Sequence, residues 1–291
     1  MEQRTAVVTG ASGYIGQAVC RVFAERGWQT LRLGRKMVGA NFERHWSLGE
    51  PLPCDLRKID CVINLASATL VSALDGASAT ALDFSGAKLI LNQFRTQRPA
   101  GPRRSRFIFI SSQSASPAAA NLYGKSKWNI EQLLTEPDEL IIRPGLVFGS
   151  TNGSVFGQLS SLVRKLPVLP DFGEAPAIQP IHVDDLALAI ALIAERADSE
   201  RKLWCLGYPE PLGLKELWQA VAHQQGLRRP IIVKLPRQLI TFAAEMVDLL
   251  VKPVPTLSER VNGIIGLKPF ESRPSLDDLH LQLRPFGQRD R

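Results

Sequence analysis

Residues 5–16 read TAVVTGASGYIG, and this stretch decides the fold. Residues 5–9 form a short apolar run without alternation, the texture of a strand buried on both faces of a parallel sheet. Gly10, Gly13 and Gly16 punctuate the turn, and Ile15, Val19, Val22 and Phe23 carry a helix to about Gly27. Each glycine has a physical use at such a junction. Gly10 permits the tight turn, Gly13 lets backbone approach a pyrophosphate, and Gly16 lets the helix pack closely on the strand. Free N–H groups at the helix start, aided by its dipole, hold the phosphates. The turn 10–16, with Ser12, Tyr14 and Ile15, therefore predicts a dinucleotide cradle. Such a glycine pattern is weak alone, but here its strand–turn–helix setting is correct.

Working outward, strands are predicted at 30–33, 61–65 (CVINL), 106–111 (RFIFIS) and 140–143, with helices at 77–97 and 122–134 between them. Strands alternating with helices mean an α/β fold, a doubly wound parallel (Rossmann) sheet. After Gly145, glycines and prolines mark a loop-rich stretch as far as Pro180. A helix at 184–196, a strand at 202–206, helices at 214–225 and 237–251 and a Pro-broken tail follow. This order predicts a nucleotide-binding domain over 1–146, to which 178–206 returns. Residues 147–177 and 207–291 are expected to form a smaller, partly interleaved α/β substrate lobe. The stretch 239–251, broken by Glu245 and Asp248, reads as an amphipathic helix packed on its own domain.

The chain has 291 residues, 45% apolar and 22% charged, ordinary values for a soluble globular protein. A net charge of +7 is modest, and its densest cluster, Arg98, Arg103, Arg104 and Arg106, reads as a solvated loop rather than a nucleic-acid surface. The positive balance suits an anionic nucleotide. Cys20, Cys54, Cys61 and Cys205 are scattered, as are His45, His182, His223 and His280, so neither a metal site nor a disulfide framework is expected. Unpaired cysteines and the lack of a leader point to a reducing cytoplasm. No uncharged apolar run approaches the roughly 18 residues that a membrane span needs.

The second strand ends in Leu33-Gly34-Arg35-Lys36. An NAD site places an acid there to accept from the ribose 2′-OH, whereas Arg35 and Lys36 offer charge to a 2′-phosphate. NADP is the expected cofactor, with NAD the alternative; a solvated basic loop is the bland reading. Residues 121–132, NLYGKSKWNIEQ, set Tyr123 and Lys127 one helical turn apart. A Walker-type phosphate loop fails, because Ala119 stands where that pattern needs glycine. A packing tyrosine and a proton-transfer pair both remain open from these residues alone.

The ordered set of motifs is more specific. TGASGYIG (9–16), Asn64-Leu65-Ala66, Ser111-Ser112, YGKSK (123–127), Arg143-Pro144-Gly145 with Phe148-Gly149, and HVDD (182–185) occur in one sequence. Over roughly residues 5–195 the chain resembles the extended short-chain dehydrogenase/reductase superfamily, and more narrowly its nucleotide-sugar epimerase/dehydratase family. The resemblance implies that Tyr123 exchanges a proton with the substrate, its pKa lowered by Lys127. Lys127 would also bind the nicotinamide ribose, and Ser112 would polarise the carbonyl, with Ser111 and Ser114 as substitutes. It implies cofactor contacts from Leu65, Ala66 and Ser67 at a strand end, from Pro144 and Gly145, and from Leu48 at the adenine. Asp184 and Asp185 would at least partly cap their helix. Three features depart from the family: Asp83 replaces a frequent asparagine, the 38–58 stretch is shorter than usual, and the 112–123 segment is brief. The implied activity is NADP(H)-dependent reduction or epimerisation of a keto group on a nucleotide-linked sugar, with a small-molecule substrate and room for a homodimer. A non-catalytic NADP-binding sensor or assembly subunit, and a reductase of a non-sugar carbonyl, are the alternatives.

Overall fold

The computed structural model describes residues 3–37, 41–68, 76–98, 105–149, 155–166, 168–171, 176–196, 201–251 and 257–287. Along the chain run β1 (Thr5–Thr9), α1 (Tyr14–Glu25), β2 (Gln29–Gly34), β3 (Glu43–His45), β4 (Cys61–Asn64), α2 (Gly76–Gln97), β5 (Arg106–Ile110), α3 (Leu122–Glu131) and β6 (Glu139–Pro144). They continue with β7 (Leu146–Phe148), α4 (Val155–Lys165), β8 (Val168–Asp171), β9 (Pro180–His182), α5 (Val183–Glu195) and β10 (Leu203–Leu206). The last elements are α6 (Leu214–Gln224), β11 (Ile231–Lys234), α7 (Arg237–Val251), α8 (Leu257–Ile265) and α9 (Arg273–Asp278).

Seven strands form one parallel sheet in the order β10-β6-β5-β4-β1-β2-β3, a Rossmann-like arrangement. Because the chain turns outward after β1 and returns to β4 on its other side, a crevice opens at the carboxyl ends of these two strands. Side chains alternate between the sheet's faces, as pleating requires. Ala6, Val8, Ile63, Ile108 and Ile142 pack with α1 and α5, while Val7, Val62, Phe107, Phe109 and Ile141 pack with α2 and α3. A third apolar cluster, including Phe148, Phe156, Leu159, Leu217 and Trp218, lies in the later part of the chain.

Several sequence expectations need correction. The loop-rich stretch after Gly145 holds β7, α4, β8 and β9. Their partners are remote, β7 pairing with β9 and β8 with β11, so no local pattern betrays them. The polar edge strand β3 (ERH) carries no apolar signal, and the tail adds β11, α8 and α9. Arg106 is not in a solvated loop: it is buried, and its guanidinium donates to the Ile193 carbonyl. Arg98 pairs with Glu136, while Arg103 and Arg104 lie outside the described residues. Nor is α7 wholly packed, since Leu239, Phe242, Met246 and Leu249 stand exposed. The four cysteines are free. Among the described residues no cluster of His, Cys, Asp or Glu could hold a metal, and no helix is long and apolar enough to cross a membrane.

Candidate active site

The first turn of the chain builds a cradle at the crevice. Gly10 has φ +68°, and a side chain at Gly16 would overlap the Gly10 carbonyl, so both positions require glycine. Gly13 donates its N–H to Gly10 O at 2.9 Å and caps α1 without a side-chain bond. A Cβ on Gly13 would meet nothing within 4 Å except that carbonyl, at 3.1 Å, so it would project into the cradle. Open space over an uncapped helix start fits a pyrophosphate. Gly34 has a second use beyond lacking an acid, because a Cβ there would press Ser12 Oγ at 2.9 Å. Arg35 and Lys36 follow, both exposed, and neither makes a hydrogen bond or ion pair among the described residues. Leu48, the expected adenine contact, lies against Gly86 of α2 and is partly buried.

The crevice's other lip is the end of β4. Thr9 Oγ1 donates to Asn64 Oδ1 at 2.9 Å and accepts from the N–H groups of Leu65 and Ala66, each at 3.2 Å. Asp83, buried in α2, accepts from Ser67 Oγ at 2.8 Å and Ala68 N at 2.5 Å. The carboxylate thus grips the 65–68 segment expected to line the cofactor. Its departure from asparagine was visible in the sequence, but its attachment to this loop was not.

Tyr123 enters from α3. Asn121 caps that helix, its Oδ1 accepting from Gly124 N at 3.0 Å, and Glu259 of α8 accepts from Leu122 N at 2.9 Å. Gly124 explains the glycine of YGKSK, since a Cβ there would overlap Ser114 O and crowd Ala119 at 2.8 Å. Ser112 stands near enough to the Tyr123 phenol to lower its pKa, and Ser112 Oγ is 3.0 Å from Ser114 Oγ. Lys127 is buried, donates to Ile110 O at 3.1 Å, and lies 4.8 Å from the Phe109 ring centroid and 5.7 Å from that of Tyr123. Ser111 is committed elsewhere: its hydroxyl donates to Glu131 at 2.5 Å, and Glu131 also holds Arg143. Ser112 and Ser114 remain beside the phenol.

The electrostatics differ from the sequence expectation. Burial, reinforced by the Asp83 charge and offset by the Ser112 hydrogen bond, pushes the Tyr123 phenol up to about 12. Burial also lowers Lys127, against the opposing pull of Asp83 and Glu131. With its ammonium turned to a main-chain carbonyl, Lys127 does not turn Tyr123 into a phenolate in this arrangement. These environments favour the protonated form of the Tyr123 phenol.

Two glutamines escaped the sequence reading. Gln113, next to Ser112, donates through Nε2 to Ala177 O at 2.5 Å and Lys268 O at 3.0 Å. Gln179, fully buried, donates to Tyr208 O at 2.8 Å and Phe270 O at 3.0 Å and accepts from Phe270 N at 2.8 Å. Together they tie the 177–179, 208 and 268–270 segments to the Ser112 loop. Pro144 accepts from Gln113 N at 2.9 Å, and a side chain on Gly145 would overlap Gln179 O, so packing already demands this glycine. The α5 cap is also corrected. His182 Nδ1 accepts from Asp184 N at 3.2 Å, whereas Asp184 and Asp185 bind Arg284, and Asp184 also binds Arg21 at 2.5 Å.

A family model for the NAD dependent epimerase/dehydratase family matches residues 6–207. The chain belongs to that family. It is an NAD(P)-dependent enzyme, and the cofactor is NADP or NAD. Within curated sequences, the ceramide reductase of Caulobacter vibrioides (strain NA1000 / CB15N) is 27% identical over 260 residues, 83% of this chain and 76% of that protein. The mitochondrial NADH dehydrogenase (ubiquinone) 1 alpha subcomplex subunit 9 of Dictyostelium discoideum is 24% identical over 207 residues, 68% of this chain and 58% of that protein. The human epimerase family protein SDR39U1 (isoform 2), solved with NADPH, superposes with a TM-score of 0.71 at 16% identity, covering 96% of this chain and 94% of its own. The epimerase/dehydratase family member described here therefore shares its fold with a solved NADPH complex.

Proposed function

We propose that this family member is an NADP(H)-dependent carbonyl reductase in which Tyr123 is the proton donor. One arrangement carries the reading: Tyr123 stands near Ser112 and one helical turn from a buried Lys127, at the end of the sheet where the 10–16 turn opens. The nicotinamide supplies hydride to the carbonyl carbon. Ser112, braced by Ser114 at 3.0 Å, donates to the carbonyl oxygen and polarises it. That oxygen takes the Tyr123 proton as it gains the electron pair, so the product is an alcohol. The positive charge of Lys127 offsets the charge left on the phenol. Arg35 and Lys36 hold the 2′-phosphate, and the 10–16 turn holds the pyrophosphate. Residues 147–177 and 207–291 act as the substrate lobe, and free cysteines suit a cytoplasmic setting.

The keto group of a nucleotide-linked sugar is the substrate that the motif order suggests. A second reading, an apolar long-chain carbonyl, is favoured by the likeness to a ceramide reductase. It is also favoured by the apolar surface of α7 and β11. The test is NADPH oxidation against a panel of keto-sugar nucleotides and long-chain ketones. On an accepted substrate Tyr123→Phe keeps the ring and removes the proton, so turnover falls by about 10²–10⁴-fold while NADPH affinity holds. Near wild-type turnover in that variant rejects Tyr123 as the donor. Tight NADPH binding without turnover on any panel member rejects both substrate classes.

A further inference from the structure

The most unusual surface of this protein is an apolar face with a basic rim. On α7, Leu239, Phe242, Met246 and Leu249 recur at helical spacing and are 57%, 61%, 42% and 69% exposed. Outside α7, Ile231 and Val233 of β11 are also exposed, as is Val168 of β8, the register partner of Ile231. A row of exposed large aliphatic and aromatic side chains along one helix face marks a surface that meets something apolar. Its charge is one-sided. Residues 226–244 carry Arg228, Arg229, Lys234 and Arg237 and no acid. Arg228, Arg229 and Lys234 are exposed, as are Arg164 and Lys165 at the end of α4 beside β8. Glu245 is the exposed acid on α7, to one side of the stripe. Asp248 faces away from it, accepting from Ser258 N at 2.9 Å.

We propose that this face docks on an anionic lipid surface. Apolar side chains presented by a helix and flanked by Lys and Arg match the depth profile of a bilayer interface, hydrocarbon first and phosphate around it. A second copy of the chain fits less well, because a two-fold contact would set one basic rim against another. Strand addition is also disfavoured, since Pro230, Lys234 and Pro236 blunt the β11 edge. Placement gives the docking a consequence. Helix α8 packs on both α7 and α3, and its Glu259 accepts from the N–H of Leu122, the residue just before Tyr123. A bilayer on α7 would bring membrane-resident carbonyls to the side of the molecule that holds the phenol. This last step rests on the apolar-carbonyl reading; the docking itself does not.

The experiment is flotation of the full chain with vesicles of phosphatidylcholine alone and of phosphatidylcholine mixed with phosphatidylglycerol. Expected is co-flotation with the anionic vesicles only, released by salt. The Arg228→Gln/Arg229→Gln/Lys234→Gln variant should partition roughly 100-fold more weakly, and Leu239→Gln/Phe242→Gln/Leu249→Gln should lose flotation. All six side chains are exposed, so unchanged melting curves serve as the folding control. A wild-type chain that stays with the protein fraction overturns the proposal, as does flotation that neither variant reduces. So does sedimentation as a dimer that Phe242→Gln dissociates, which assigns the face to a second copy. NADPH oxidation with a water-soluble ketone is measured in parallel: turnover without flotation removes the docking alone, and flotation without turnover removes the reductase reading alone.

Discussion

Tyr123 and Asp83 form an uncommon pairing of a proton donor with a nearby buried negative charge. Burial is the larger upward push on the phenol, and the Asp83 charge adds to it. A donor works only while protonated, so reduction should hold steady across the neutral range and decline only as pH climbs toward about 12. Asp83→Asn keeps an acceptor for Ala68 N but removes the charge, so this alkaline decline should move to lower pH. A pH profile of kcat reads the shift, and an unmoved limb would mean that the Asp83 charge does not reach the phenol. At the other end of the crevice, Arg35 is exposed and without a partner among the described residues, so it is available to a phosphate. A charge-assisted bond is worth about 1.5–3 kcal/mol, hence Arg35→Ala should weaken NADPH binding by roughly 10- to 150-fold. Calorimetric titration should find NADH affinity unchanged; equal weakening of both would make Arg35 a structural residue.

Helix α3 positions the phenol, and its start depends on two side chains from different parts of the chain. Asn121 supplies the local cap, and Glu259 of α8 takes up the Leu122 N–H. Removing a cap of this kind costs about 1 kcal/mol, and stranding a main-chain donor costs a similar amount. Asn121→Ala and Glu259→Ala should each lower unfolding free energy by about 1 kcal/mol in urea titrations, with m unchanged. Glu259→Gln retains an acceptor and should restore most of that loss. A Glu259→Ala protein as stable as wild type would show that solvent serves Leu122 equally well. The first of these caps joins residues three apart, whereas 137 residues separate Glu259 from Leu122.

The whole molecule is locked by buried polar groups that join distant segments. Glu139, fully buried, accepts from Arg95 Nε at 2.6 Å, Thr135 N at 2.7 Å and Glu136 N at 2.9 Å. Burial alone would raise its carboxyl, but these bonds outweigh burial and hold it below the usual carboxylate range. Asp184 and Glu195 are lowered in the same sense, and Asp185 is raised. For a lowered carboxyl the unfolded chain binds the proton first, so stability is present above the ordinary carboxylate pKa and is lost as pH falls through the folded one. Glu139→Gln should therefore flatten the acid limb of the stability curve. It should also cost about 2 kcal/mol at neutral pH, since Arg95, itself partly exposed, is left with a weaker partner. Denaturant titrations across the acid range check both; an acid limb as steep as that of wild type would assign the loss to other carboxylates.

The doubly wound sheet, the glycine cradle and the relation of Tyr123 to Lys127 could be read from residue order alone, because each is set by short-range physics. Buried parallel strands are continuous apolar runs, phosphate turns need glycines at fixed offsets, and a helix brings residues four apart onto one face. Short strands whose partners lie far along the chain have no such signature. For that reason β8, β9 and β11 emerged only in the folded molecule, as did the Gln113–Gln179 ties and the attachment of Asp83 to the 67–68 loop. The protonation of Tyr123 belongs to the same class. Its spacing from Lys127 suggested a phenolate, but desolvation and the Asp83 charge arise only when α2, α3 and the sheet close around it. Tertiary structure likewise decided which face of α7 met solvent, since an amphipathic pattern marks an apolar stripe without saying what covers it.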